Sequence, residues 1–116
     1  MRNYEDLTEY QKDMICNGCG GKGGWVKPPH AAFFKTSCNH HDYGYWKGCT
    51  EVFRKACDKK LRSSMAADCK RLPIIKKIRY IPWCELYYLA VRIKGKSFFH
   101  YGDRQQDPDI DLILTQ

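Results

Sequence analysis

Two predicted helices that meet at Gly48 constrain the fold of this chain more than any other feature. Residues 37–47 and residues 50–71 are both predicted to be helical, and the glycine interrupts the pattern between them. On one continuous helix, His41 and Asp58 would lie about 25 Å apart, because each residue advances a helix by about 1.5 Å. A chain reversal at Gly48, almost midway between them, would make them close neighbours. The sequence therefore favours an antiparallel helix hairpin.

A glycine-rich segment precedes this hairpin. The stretch CNGCGGKGGWVKPP, residues 16–29, contains five glycines and two prolines, which exclude a regular helix or strand. Glycines leave backbone carbonyl and amide groups accessible, because no side chain covers them. We therefore expect a long loop that offers backbone groups to a ligand.

Shorter patterns accompany these two features. Apolar residues at helical spacing predict a short helix over residues 4–15, and Ser37 is a candidate N-cap for the first hairpin helix. Residues 74–82 are ambiguous between an extended connector and one turn of helix, whereas residues 83–93 predict a further helix. The acidic end of the chain, from Asp103 onward, is expected to be a surface segment.

The cysteine content narrows the class of protein. A chain of 116 residues, 43% of them hydrophobic, indicates one globular domain over residues 1–116. A chain of this size often adds a cross-link or a metal to its core. Seven cysteines point either to disulfides in an oxidising compartment or to zinc in a reducing one. The odd number leaves at least one thiol unpaired within the chain.

A cluster of polar and aromatic residues, CNHHDYGY at positions 38–45, lies on the first hairpin helix. One interpretation is a structural zinc site, because the spacings C-x2-C and C-x2-H suit tetrahedral zinc ligands. The ligands would be Cys16, Cys19, Cys38 and His41. This interpretation leaves the adjacent aspartate, the tyrosine and the glycines of the loop without a role.

A second interpretation is a hydrolytic site. A histidine on a rigid helix can act as a general base toward water, and the carboxylate of Asp42 beside His41 can bind a hard cation. Backbone carbonyls of the glycine-rich segment can complete the oxygen shell that calcium prefers. Across the hairpin, Asp58 can fix the histidine tautomer, and Tyr45 can hydrogen-bond that carboxylate. Every member of the cluster then has a role.

The same motifs resemble the secreted phospholipases A2. CNHHDYGY matches the C-x-x-H-D-x-x-Y motif of that family's active-site helix. NGCGGKG, residues 17–23, is similar to its calcium loop, especially to the NGCG form of the group XII-like branch. CDKKLRSSMAADC, residues 57–69, is similar to patterns of bacterial and fungal members. Three ordered motifs are far more specific than any one of them, and together they cover roughly residues 15–70.

This resemblance implies calcium-dependent hydrolysis of the sn-2 acyl ester of glycerophospholipids, which releases a fatty acid and a lysophospholipid. It implies that His41 is the general base and that Asp58 and Tyr45 support it. The implied fold is a small, mostly α, disulfide-stabilised domain in which two antiparallel helices carry the His/Asp site beside a glycine-rich calcium loop.

The resemblance also implies a set of calcium ligands. The side chain of Asp42 would bind the ion together with loop carbonyls at Gly18, Gly20 and a residue near Lys22. A disulfide between Cys19 and Cys38 would tie this loop to the active-site helix.

The chain departs from the family pattern at its other cysteines. Ser37 and Gly44 stand where animal members have cysteines, so Cys57 and Cys69 lose their usual partners. Cys69 is then a candidate partner for Cys84. The connectivity of the remaining cysteines stays open.

The charge distribution indicates an anionic partner. The net charge is +7, and residues 70–96 carry eight lysines and arginines against one acid, Glu85. Such a surface attracts nucleic acid or anionic lipid headgroups. Together with the resemblance, it leads us to expect an anionic phospholipid membrane as the partner and no nucleic acid.

The resemblance further implies a secreted monomer. The sequence contains no apolar run of membrane-spanning length, and its start lacks the apolar core of a signal peptide. Two alternatives to the phospholipase function remain. One is a zinc-stapled basic module that binds nucleic acid, and the other is a phospholipase-like toxin or binding protein without catalytic activity.

Overall fold

The computed structural model describes residues 3–16, 18–20 and 30–114, and this part of the chain is mostly helical. The predicted mostly α class is therefore confirmed, and the described residues include no β-strand. Their helices are α1 (Glu9–Ile15), α2 (Lys35–Lys47), α3 (Glu51–Cys69), α4 (Ile74–Lys94) and the short α5 (Asp111–Leu114). Turns of 3₁₀ helix lie at Tyr4–Asp6, Gly18–Gly20 and Gly95–Ser97.

The predicted hairpin of α2 and α3 is present, and Gly48 makes its turn. This glycine has φ +69°, and a Cβ atom there would lie 1.8 Å from the backbone oxygen of His100. Only glycine combines this conformation with such a close approach. Cys49 N–H then donates to the same His100 oxygen at 3.0 Å, and Thr50 caps α3 by accepting from Phe53 N–H. The backbone at His100, which comes after α4, thus fixes the turn.

The start of α2 differs from the prediction. The helix begins at Lys35, and its N-cap is Phe34, which makes no side-chain cap hydrogen bond. Ser37 is buried inside the helix, where its hydroxyl donates to Asp68 Oδ2 of α3 at 2.6 Å. Ser37 is therefore not a cap; its hydroxyl joins α2 to α3.

The N-terminal helix is shorter than predicted. The chain forms a 3₁₀ turn at Tyr4–Asp6 and then α1, with a break between them. Thr8 explains the break, because its hydroxyl accepts from Gln11 N–H while the Gln11 side chain accepts from Thr8 N–H. This capping box starts a new helix at residue 9.

The ambiguous segment 74–82 is neither an extended connector nor a single turn, since it forms the first half of α4. This helix continues through Pro82, which lacks the N–H that would bond the carbonyl of Ile78. Pro82 is exposed, so water can satisfy that carbonyl. None of the helices within the described ranges is long and apolar enough to cross a membrane.

The main core lies where α2, α3 and α4 meet. It consists of Phe34, Cys38, Leu61, Met65, Cys69, Cys84 and Tyr87. A second cluster joins the two ends of the described chain to α2 and consists of Leu7, Ile15, Tyr43 and Leu112. The acidic end is therefore not wholly a surface segment, because Pro108, Asp111 and Leu112 are buried.

Candidate active site

The hairpin brings His41 and Asp58 into direct contact. His41 Nε2 lies 2.7 Å from Asp58 Oδ1, and both side chains are buried, that of Asp58 completely. The Tyr45 hydroxyl donates to the same oxygen at 2.6 Å. The three residues that the sequence grouped across the hairpin are thus one hydrogen-bonded unit. Their proximity was predicted from the position of Gly48, and the tyrosine contact from its place one turn after the histidine.

Two arginines that the sequence analysis did not single out complete the surroundings of Asp58. Arg92 of α4 donates from Nη1 to Asp58 Oδ2 at 2.7 Å, and Arg54 Nη1 lies 3.5 Å from the same oxygen. Arg54 is only 1% exposed. The carboxylate is therefore divided, with one oxygen toward the histidine and tyrosine and the other toward two guanidinium groups.

The arginines are themselves held by Glu51 at the start of α3. Arg54 donates to both carboxylate oxygens of Glu51, at 2.8 and 3.0 Å, and Arg92 Nη2 donates to one of them at 3.0 Å. Tyr101 donates a further hydrogen bond to Glu51. Two carboxylates thus balance two guanidinium groups, which compensates the charges that the fold takes out of water.

This environment keeps Asp58 ionised. Burial by itself raises the pKa of Asp58, but the hydrogen bonds from His41, Tyr45 and Arg92 outweigh it and hold the pKa below its usual value. The pKa of Tyr45 is raised, first by burial and then by its hydrogen bond to Asp58. The tyrosine therefore stays a neutral donor.

The contact with Asp58 defines the state of the His41 ring. An ionised carboxylate only accepts hydrogen bonds, so the proton of neutral His41 lies on Nε2. Nδ1 then carries the lone pair and can accept a proton. This is the tautomer that a general base oriented by a carboxylate requires.

A cavity of about 510 Å³ adjoins the histidine, between α2 and α3. His41, Gly44, Cys57 and Leu61 are among its lining residues, and the segment 3–5 also lines it. His40 also lines it and packs against the ring of Tyr4 at 4.1 Å. Asp58 is not among the lining residues, so His41 separates the buried carboxylate from the cavity.

The predicted disulfide between Cys19 and Cys38 is present, with a Cα–Cα distance of 5.0 Å. It attaches the turn Gly18–Gly20 to α2. A second link comes from Asn39, whose Oδ1 accepts from Gly18 N–H at 2.8 Å. The first part of the glycine-rich segment is therefore held beside α2, one helical turn before Asp42.

The candidate calcium ligands are described only in part. Asp42 is half-buried. Burial of the Cys16 thiol raises its pKa to about 12, and the nearby charge of Asp42 adds to this shift. Gly18 and Gly20 lie in the attached 3₁₀ turn. Lys22 falls outside the described residues. A carboxylate and backbone carbonyls are hard oxygen donors, so the chemistry of this donor set fits calcium.

The disulfide weakens the zinc interpretation. Cys19 and Cys38 bond each other, so neither sulfur is available as a thiolate ligand. Cys16 donates instead to the backbone oxygen of Asn39 at 3.3 Å. In the described part of the chain, no three His, Cys, Asp or Glu side chains are grouped to hold a metal ion.

The other cysteines are free thiols. Cys69 and Cys84, the predicted pair, face each other in the core with their sulfur atoms 3.8 Å apart but are not bonded. Cys57 faces Gly44, where a Cβ atom would lie 2.7 Å from its sulfur. Gly44 thus occupies the position from which a cysteine would reach Cys57.

Comparisons of this chain with protein families, with curated proteins and with solved structures found no match. The geometry of the site and the resemblance of its three sequence motifs are therefore the indications of function.

Proposed function

We propose that this protein is a calcium-dependent phospholipase A2 that hydrolyses the sn-2 acyl ester of glycerophospholipids. The observation that carries the proposal is the buried contact of 2.7 Å between His41 and Asp58, at the positions where the phospholipase motifs place a base and its supporting carboxylate. The adjoining cavity and the disulfide-anchored Gly18–Gly20 turn support it further. The products would be a fatty acid and a lysophospholipid.

Each residue of the candidate active site has a defined role in the proposed hydrolysis. His41 Nδ1 takes a proton from the attacking water, and the imidazolium that forms is stabilised by Asp58 through Nε2. When the sn-2 ester bond breaks, the imidazolium returns this proton to the leaving oxygen of the lysophospholipid. Tyr45 holds the same Asp58 oxygen, while the two arginines fix the other oxygen. The ring is thereby locked in one orientation, which keeps Nδ1 directed for proton transfer.

Calcium would be held by the carboxylate of Asp42 and by loop carbonyls including those of Gly18 and Gly20. When bound, it would supply a positive charge that binds the lipid phosphate and polarises the ester carbonyl. The Cys19–Cys38 bridge serves this role by attaching the Gly18–Gly20 turn to the helix that carries Asp42.

The cellular setting is also part of the proposal. A disulfide persists in an oxidising compartment, which supports a secreted protein. The net charge of +7 supports an anionic phospholipid surface as the partner of a monomer.

The test is release of fatty acid from phospholipid vesicles with calcium or with a chelator. We expect turnover with calcium only, and loss of at least about a hundredfold in His41→Gln, because general-base catalysis typically contributes that much. His100→Gln is the matched control, since His100 is exposed and the mechanism does not use it.

Two results would contradict the proposal. One is wild-type protein that releases no fatty acid with calcium. The other is equal turnover with chelator, with stoichiometric zinc in the purified protein. Binding of phospholipid without turnover would instead favour the non-catalytic phospholipase-like alternative.

A further inference from the structure

The face of α4 that points away from the core is apolar along its whole length. Ile75, Ile78, Pro82, Leu86, Leu89 and Ile93 follow one another at intervals of three or four residues, which places them in one stripe on the helix. The isoleucines and leucines of this stripe are 49% to 73% exposed. We call these six residues the α4 stripe.

The stripe is not an unfilled part of the core. The opposite side of α4 already packs into the core through Cys84 and Tyr87, with Tyr80, Trp83 and Val91 alongside. Ile74 and Ile81, also 50% or more exposed, widen the stripe at its N-terminal half. An apolar surface of this length on a folded domain marks a site of interaction.

The charges beside the stripe identify its partner. Exposed basic residues lie near both ends, with Lys76 and Arg79 toward the N-terminal end and Lys94 and Lys96 toward the C-terminal end. The one acid of this segment, Glu85, lies 3.6 Å from Arg62 of α3. A long apolar face bordered by lysine and arginine is the pattern of a helix that lies in the interface of an anionic membrane.

A second copy of this chain fits the stripe less well. Because basic residues lie near both ends of α4, parallel and antiparallel pairing of two such helices would both bring like charges together. Anionic lipid headgroups, in contrast, match the basic residues while acyl chains cover the isoleucines and leucines.

We propose that α4 docks this protein onto anionic lipid bilayers, with the α4 stripe buried in the interface and Lys76, Arg79, Lys94 and Lys96 on the headgroups. The α4 stripe is separate from the candidate active site, since none of the described residues that line the cavity belongs to α4, and Arg92, which contacts Asp58, is not one of the six stripe residues. The inference therefore does not depend on hydrolysis.

The experiment measures binding to extruded vesicles by co-sedimentation, with a chelator present so that no calcium-dependent turnover occurs. One set of vesicles contains equal parts of phosphatidylglycerol and phosphatidylcholine, and the other contains phosphatidylcholine alone. We expect binding to the anionic set, and a loss of about tenfold or more in the double variant Ile78→Asn/Leu89→Asn. That variant keeps the net charge, so its loss reports apolar contact.

Matched controls separate the surface from general effects. Val52→Asn/Ile110→Asn removes two exposed apolar side chains outside α4, and it should bind like wild type. Lys76→Gln/Arg79→Gln should lose about thirtyfold in affinity for anionic vesicles at low salt, whereas Lys55→Gln/Lys59→Gln, which removes two exposed charges of α3, should lose less. Thermal unfolding establishes that each variant is folded.

Three results would overturn the inference. The first is no binding of wild type to anionic vesicles, or equal binding to both sets. The second is equal loss in the stripe variant and its apolar control. The third is a wild-type dimer in sedimentation velocity that Ile78→Asn/Leu89→Asn dissociates, because the stripe would then be a contact between copies of the chain.

Discussion

Asp58 has more hydrogen-bonding partners than orientation of a histidine alone requires. Two donors meet at Oδ1, and two guanidinium groups approach Oδ2. A carboxylate whose charge is shared in this way is held rigidly, but it also stabilises a neighbouring imidazolium less than an unshared carboxylate would. The arginines therefore contribute more to the orientation of His41 than to the electrostatic stabilisation of its protonated ring.

Gly44 and Cys57 give a residue-level test of how α2 and α3 pack. A methyl group at Gly44 would lie 2.7 Å from Cys57 Sγ, well inside ordinary contact distance. Gly44→Ala should therefore destabilise the protein by about 1–2 kcal/mol, because overpacking outweighs the gain in helix propensity. In a Cys57→Ala background the clash disappears, and the same change should stabilise by up to about 1 kcal/mol.

The sign reversal is measured by urea unfolding of the four proteins in a double-mutant cycle. If Gly44→Ala changes the free energy of unfolding equally in both backgrounds, the two residues do not touch.

At the scale of elements, the disulfide between Cys19 and Cys38 holds the Gly18–Gly20 turn on α2. Closing a loop with a sequence separation of 19 is expected to stabilise the fold by about 3 kcal/mol, mainly by restricting the unfolded chain. The variant Cys19→Ser/Cys38→Ser should lose about that much, and calcium affinity should fall because the loop carbonyls lose their anchor.

Urea unfolding with and without reductant measures the first effect, and calorimetric titration with calcium measures the second. Reductant should destabilise wild type and leave the double variant unchanged. Cys49→Ser, which removes a free thiol, should keep both the sensitivity to reductant and the calcium affinity. Equal calcium affinity in wild type and in the double variant would mean that calcium binding does not depend on the disulfide.

The helix hairpin and its His–Asp contact were predictable because both depend on local signals. Gly48 marks the reversal, and its position indicates which residues of α2 and α3 lie level with each other across the hairpin. The roles of α4 were not predictable in the same way. A proline such as Pro82 normally ends a helix. The sequence pattern also does not show whether the isoleucines around it face the core or the surface.

Arg92 shows most directly why the rest of the site could not be derived. It lies 34 residues after Asp58, and only the packing of α4 on α3 brings the two together. Ser37 failed as a cap for a related reason, since a tertiary partner, Asp68, took its hydroxyl. Polar side chains with distant partners give no periodic signal in a sequence.

At the scale of the whole molecule, Glu51 links three parts of the chain. It accepts from Arg54 in α3, from Arg92 in α4 and from Tyr101 beyond α4. These contacts, led by the hydrogen bond from Arg54, lower the pKa of Glu51 to about 2 from an ordinary 4.5. The folded protein therefore keeps this charge at a pH where the unfolded chain has already taken up a proton.

Linkage gives the direction of the resulting pH dependence. The stabilisation from Glu51 is fully present above about pH 4.5 and is lost as the pH falls toward about 2, because protonation then accompanies unfolding. Wild type should thus be more stable than Glu51→Gln near neutral pH, and the difference between them should narrow over this acidic window. Asp111 also has a lowered pKa, but its partner is Arg104 and not an arginine that contacts Glu51, so it titrates alike in both proteins and cancels in the difference.

Urea unfolding of wild type and Glu51→Gln at a series of acidic pH values measures this narrowing. Glu85→Gln is the control, because Glu85 contacts a single arginine at 3.6 Å with both side chains exposed, and such a pair contributes little. The difference between wild type and Glu85→Gln should be small at every pH. If the Glu51 difference stays constant or widens in acid, the contacts from α3, α4 and Tyr101 do not act through the charge of Glu51, and the link between these parts of the chain is a matter of packing alone.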